Sequence, residues 1–99
     1  MKDAIVIIPT YNEIENIEGI LAAVFSQHKE VHVLVVDDNS PDQTAQKVEA
    51  LQAIYANRLF LIKRNGKQGL GTAYIEGFKW CLSRSYEFIF EMDADFSHN

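Results

Sequence analysis

Four short, nearly continuous apolar runs, at residues 4–8, 31–36, 59–62 and 88–92, punctuate this chain, and each is rich in β-branched or aromatic side chains. Unbroken apolarity, in place of apolar–polar alternation, is the pattern of strands buried on both faces, so helices must cover both sides of the sheet they form. Between the runs the apolar residues fall at helical spacing. Ile14, Ile17, Leu21, Val24 and Phe25 make the first such stripe, with Asn12 as the expected N-cap and Glu15, three residues on, as its capping-box partner. The second helix has Pro41 near its start, Asp42 suited to the positive N-terminal end, and Val48, Leu51 and Ile54 on one stripe. A third is expected over residues 72–83, with Tyr74, Phe78, Cys81 and Leu82 as its apolar face.

The resulting order, βαβαβαβ with right-handed crossovers, predicts an α/β fold with a doubly wound parallel sheet of about four strands. In such sheets ligands bind beyond the carboxyl ends of the strands, and every polar cluster in this sequence falls at one of those ends. The doubly wound order also places the fourth strand beside the first, away from the second and third. Residues 88–92 should then present an unpaired apolar edge, a template for self-association with another copy of the chain.

Composition narrows the options further. Ninety-nine residues with 47% apolar side chains suffice for one compact domain with a single core. Nine Lys and Arg against fourteen Asp and Glu, a net charge of −5, argue against a nucleic-acid partner, which would call for a basic stripe. A polyanionic ligand would have to be met through a metal or a small basic cluster. Cys81 has no second cysteine to pair with and sits in an apolar pattern, as expected of an inert buried thiol in a reducing compartment. The run at 4–8 is too short for a signal-peptide core or a membrane span, so membrane contact would be peripheral or come from sequence outside these residues.

The strand ends carry the chemistry. After the first comes Pro9-Thr10-Tyr11-Asn12-Glu13, without the GxGxxG that a dinucleotide pyrophosphate requires. Tyr11 offers a ring for a base and Glu13 a carboxylate for amino groups or ribose hydroxyls; equally, Tyr11 could pack on the rim and Glu13 favour the helix N-terminus. The second strand ends in Asp37-Asp38-Asn39-Ser40-Pro41-Asp42. Turn chemistry accounts for Asn39, Ser40 and Asp42, but adjacent carboxylates at a buried strand end repel unless hydrogen bonds or a ligand compensate. In the segment from Lys63 to Thr72 the glycines fit a loop and helix start, and the alternative has Arg64 or Lys67 meeting a phosphate. The fourth strand ends in Asp93-Ala94-Asp95. In an extended segment residues i and i+2 point the same way, so Asp93 and Asp95 can converge on one cation, and hard oxygen ligands suit Mg²⁺ or Mn²⁺. Ser97 and His98 lie just beyond, and His98 fits a loop residue better than a ligand.

Four segments in register, IIPTYNEIENI, VVDDNSPDQTA, GLGTAYIEGFKW and FEMDADFSHN, resemble the N-terminal half of the polyprenol-phosphate (dolichol-phosphate) mannosyltransferases, inverting glycosyltransferases of the GT-A fold. The resemblance implies that Pro9, Tyr11, Glu13, Val36 and Asp38 line a pocket for GDP-mannose. It implies further that Asp93, Ala94 and Asp95 hold the diphosphate through a divalent metal, with Asp93 and Asp95 as the ligands and the catalytic pair. The acceptor would be a polyprenyl phosphate at the cytoplasmic face of a membrane. Residues 1–99 would be the nucleotide-sugar-binding part of the domain, ending just after the D-x-D motif and inactive alone. Two positions depart from the pattern: Gln43 stands where many relatives have glycine, and Ser97 where some carry a metal-ligating glutamine. Two other readings remain, a GT-A transferase for another sugar nucleotide such as UDP-glucose and a non-catalytic nucleotide-binding module. A phospho-receiver domain would carry its acidic pair after the first strand, where this chain has Pro9 and Tyr11.

Overall fold

A computed structural model describes residues 3–28, 30–66 and 69–94. Strands β1 (Ala4–Thr10), β2 (His32–Asp37), β3 (Leu59–Lys63) and β4 (Phe88–Glu91) alternate with helices α1 (Ile17–Gln27), α2 (Thr44–Leu51) and α3 (Leu70–Leu82). All strand pairs are parallel, in the order β3-β2-β1-β4, so the expected α/β doubly wound sheet is present. The chain steps outward from β1 to β3 and then returns through α3 to the far side of β1. That reversal creates a switch point between β1 and β4 at their carboxyl ends, where this architecture forms a crevice.

The period-two geometry of the strands divides the core into two layers. Ala4, Ile8, Val33, Val35 and Leu59 face α1 and α2, meeting Ile17, Ile20, Leu21, Val24, Val48 and Leu51. Ile5, Ile7, Leu34 and Val36 point the other way, toward Ala73 and Cys81 of α3. Each fully buried Ile, Leu or Val contributes about 1.5–3 kcal/mol by leaving water, so β1 and β2 anchor the domain.

Several boundaries and faces differ from the sequence reading. β1 continues through Pro9 to Thr10, paired with Val36 and Asp37. Proline is tolerated there because the nitrogen of residue 9 faces the β4 side, where the ladder has ended. The Met92 N–H donates to the Ile7 carbonyl at 3.0 Å, and the next parallel bond would need a donor from Pro9, which has none. β4 therefore leaves the sheet at Met92. Asn12 is not a helix cap: it lies in a turn at φ 58°, and α1 starts at Ile17 after Asn16. Ile54 lies beyond the end of α2 and is exposed.

The buried stripe of α3 is Ala73, Gly77 and Cys81, whereas Phe78 and Leu82, expected on the apolar face, are exposed. Small residues bury here because α3 lies very close to the sheet. A Cβ on Gly77 would come within 2.9 Å of Ile7 Cγ2 and 3.3 Å of Val36 Cγ2. β4 is an edge strand among the described residues, and it is not buried on both faces as its apolar run suggested: Phe88 and Phe90 are about half exposed.

Candidate nucleotide site

The ends of β1 and β2 are tied together by Asp37. Its Oδ1 accepts the Thr10 hydroxyl and the Ser40 hydroxyl, each at 2.6 Å, and its Oδ2 accepts the Ser40 N–H at 2.9 Å. These donors compensate a carboxylate that is only 1% exposed. Its neighbour Asp38 is also buried and is turned the other way, onto Arg64. Arg64 Nε donates to Oδ1 at 2.5 Å and Nη2 to Oδ2 at 3.3 Å, a two-pronged guanidinium–carboxylate pair. The adjacent acidic residues thus resolve into one knot of hydrogen bonds and one ion pair.

Arg64 is held on several sides. Besides Asp38, Nη2 donates to Thr72 Oγ1 at 2.8 Å and to the Gly69 carbonyl at 3.4 Å, and Nη1 reaches Glu76 Oε1 at 3.3 Å. Burial lowers the pKa of this guanidinium, but the Asp38 and Glu76 carboxylates more than restore it, so the cation is fixed. Arg64 therefore does not offer itself to a phosphate, and the structural reading of the 63–72 segment applies to it; Lys67 lies outside the described residues.

The turn between β1 and α1 is fastened by the segment that opens α2. The backbone N–H groups of Asn12, Glu13 and Ile14 donate to Ser40 Oγ at 2.9 Å, Thr44 Oγ1 at 3.0 Å and Asp42 Oδ2 at 3.1 Å. Asp42 Oδ1 also accepts the Thr44 N–H, the role its place before α2 suggested. Burial pushes the Asp42 pKa up, yet the bonds from the Thr44 hydroxyl and the Ile14 and Thr44 amides together hold it below its ordinary value. Glu13 supports the helix start as well: its carbonyl accepts the Ile17 N–H at 2.9 Å, and Asn16 Nδ2 donates to its Oε1 at 3.1 Å.

With these turns fixed, Pro9, Tyr11, Glu13, Asp38 and Asp93 share the walls of one cleft of about 240 Å³, closed on the far side by Gly69, Leu70 and Ala73 of the α3 head. It lies at the β1–β4 switch point. A larger concavity of about 590 Å³ sits by Ala4 and Val31, at the amino ends of the strands, where this architecture binds nothing. Nearby, burial and then the charges of Asp93 and Glu91 raise the Tyr74 phenol above its ordinary pKa.

Two residues implied by the resemblance do not reach the cleft through their side chains. Val36 is fully buried beneath α3, and Ala94 is buried in the layer facing α1. Asp95, Ser97 and His98 lie outside the described residues, and among the described residues no three His, Cys, Asp or Glu side chains gather as a metal site. For a divalent metal, the exposed Asp93 carboxylate on the cleft wall is a suitable hard donor. Sequence reading did not find the Asp38–Arg64 pair. The available signal was that two buried acids at one strand end need a cation, and that β3, paired with β2 in parallel, ends at the same level just before Arg64.

The chain is 48% identical to a polyprenol monophosphomannose synthase of Mycolicibacterium smegmatis over 94 residues, which takes in 95% of this chain and 36% of that protein. It is 47% identical over 92 residues to an undecaprenyl-phosphate mannosyltransferase of Micrococcus luteus, covering 93% of this chain and 37% of the relative. The chain thus spans about a third of the length of these relatives. Among solved structures, the mannosyltransferase PcManGT from Pyrobaculum calidifontis, in complex with GDP-Man and Mn²⁺, superposes with a TM-score of 0.82 at 28% identity, covering 94% of this chain and 27% of that one. TarS of S. aureus, residues 1–349, superposes at 0.73 with 31% identity, covering 93% and 27%. The family model described as "Glycosyl transferase family 2" matches residues 5–99, and this chain belongs to that family.

Proposed function

We propose that this chain is the donor-binding part of an inverting mannosyltransferase that moves mannose from GDP-mannose to a polyprenyl phosphate. The observation that carries the reading is the convergence of Tyr11, Glu13, Asp38 and Asp93 on one cleft at the sheet's switch point, in a chain 48% identical to a polyprenol monophosphomannose synthase. Tyr11 presents its ring at the rim, and Glu13 and Asp38 present acceptors to the nucleoside. Pro9 and the knot around Asp37 keep the β1 and β2 ends rigid beneath it.

Asp93, together with Asp95, would hold a divalent Mg²⁺ or Mn²⁺ ion, which when bound supplies positive charge for the negative charge that builds on the departing diphosphate. The acceptor phosphate oxygen is already ionised near neutral pH, so attack on the anomeric carbon needs little from a general base. This suits a cleft whose acids are committed to binding. Among the described residues no helix is long and apolar enough to cross a membrane, and the proposal has the lipid acceptor met at the cytoplasmic face. The half-exposed β4 edge, with Phe88 and Phe90, is the proposed route to self-association.

Calorimetric titration with GDP, UDP and GDP-mannose, each with and without Mn²⁺, tests the reading. Binding of GDP and GDP-mannose that strengthens with Mn²⁺ is expected. Preference for UDP would instead favour another sugar donor, and indifference to the base and the metal would refute the transferase reading. Light scattering that finds a monomer at high concentration would refute the association.

A further inference from the structure

Asp38 is the deepest acid of the cleft, and Arg64 meets both of its carboxylate oxygens. A carboxylate at the mouth of a buried strand can turn toward either neighbouring turn, and the two oxygens of Asp38 are fixed because Nε and Nη2 of Arg64 meet them together. The same guanidinium grips Gly69, Thr72 and Glu76, which form or adjoin the head of α3. Arg64 itself is 6% exposed and is not among the residues lining the cleft. One buried cation therefore sets both an acceptor on the near wall and the backbone of the far wall.

Resting on the donor-site reading above, we infer that Arg64 is a positioning residue for the donor nucleotide: it aims Asp38 at a hydrogen-bond donor on the nucleoside and fixes the α3 head opposite. A carboxylate oxygen has two acceptor lone pairs, so it can accept from a guanidinium and from a ligand N–H or O–H at once. A ligand N–H or O–H that donates to a carboxylate makes a charge-assisted bond. Lysine could supply the charge but not the planar fork, and Asp38 would lose its fixed direction. The ligand group is either the ribose 2′-hydroxyl or the exocyclic amino group of the base. The two share one chemistry, and nucleotide analogues tell them apart.

The experiment compares the wild-type chain with Arg64→Lys, measuring affinity for GDP, 2′-deoxy-GDP and inosine diphosphate in Mn²⁺, with Mn²⁺-pyrophosphate as the control. The wild type should prefer GDP over one of the two analogues by about tenfold or more, the worth of a hydrogen bond to a charged group. Loss of preference against the deoxy analogue assigns the ribose, and against inosine diphosphate the base amino group. Arg64→Lys should bring that preference to within about twofold and leave pyrophosphate affinity unchanged; a role in stability alone would weaken all four ligands together. If Arg64→Lys does not fold, Thr72→Val, which removes the 2.8 Å contact on Nη2 together with the Thr72 hydroxyl's bond to the Gly69 carbonyl, should show a smaller loss of the same preference. A variant that keeps the wild-type preference overturns the inference and leaves the donor-site reading standing, as does a wild type that prefers GDP over neither analogue. If the wild type binds UDP but not GDP, the mannose-donor reading fails, and the comparison is made with UDP and 2′-deoxy-UDP. A folded wild type that binds none of these nucleotides overturns both.

Discussion

Gly77→Ala isolates the closest approach between a helix and the sheet. The added Cβ would sit 2.9 Å from Ile7 Cγ2, and 3.3 Å from both Ile7 Cδ1 and Val36 Cγ2. Carbon atoms rest at about 3.5–4.0 Å, so the closest overlap is more than half an ångström. Neither partner yields easily: Ile7 and Val36 are fully buried, β-branched and locked in adjacent strands. Overpacking of this kind costs about 1–3 kcal/mol, and replacing a mid-helix glycine by alanine returns about 0.5–1 kcal/mol. The expected net loss is about 0.5–2 kcal/mol, which for a domain of this size lowers Tm by several degrees. Gly19→Ala in α1 is the matched control, since a Cβ there meets nothing within 4 Å and only the helix-propensity gain should remain. Urea unfolding of both variants, followed by far-UV circular dichroism and Trp80 fluorescence, gives the two values. Because Leu70 and Ala73 line the cleft, a helix pushed outward by Gly77→Ala should also weaken GDP binding. Gly77→Ala as stable as the wild type, alongside a stabilised Gly19→Ala, would refute the close-packing argument.

The remaining predictions are local. Gln43 sits at φ 72° ahead of α2, so Gln43→Gly should stabilise the fold by about 0.5–1 kcal/mol in the same urea assay; a loss would mean the side chain matters more than the backbone. The folded-state pKa of Asp42 lies below the ordinary 3.8, so its stabilisation is complete above that pH and is lost as pH falls through the folded value. Asp42→Asn should therefore flatten the acid limb of stability against pH below about 4, and an unchanged slope would show that Asp42 does not govern it. Asp95→Ala should abolish the Mn²⁺-dependent part of GDP affinity, with Asp93→Ala weaker in the same direction. Unchanged affinity for GDP in Mn²⁺ after Asp95→Ala would sink the metal assignment.

The sequence by itself determined the strand–helix alternation, the parallel order and the placement of polar clusters at strand ends. Those follow from patterns set by near neighbours: unbroken apolar runs at 4–8 and 31–36, a helical stripe through Ile17, Leu21 and Val24, and the turn chemistry of Ser40 and Asp42. It also placed Tyr11, Glu13, the Asp37–Asp38 pair and Asp93 at one end of the sheet, because a doubly wound sheet brings the carboxyl ends of β1, β2 and β4 together. Periodicity could not tell which apolar residues of α3 are buried. The separation between helix and sheet chose Ala73, Gly77 and Cys81 over Phe78 and Leu82, and that separation is a property of facing surfaces, not of the helix. Nor could the sequence separate Asp37 from Asp38, since two adjacent acids look alike until their surroundings are known. The fold gave one to Thr10 and Ser40 and the other to Arg64, which lies 26 residues along the chain and becomes a neighbour only because β3 pairs with β2. A buried charge takes whatever partner the tertiary structure delivers, so the partner, and with it the direction Asp38 faces in the cleft, was decided by the fold.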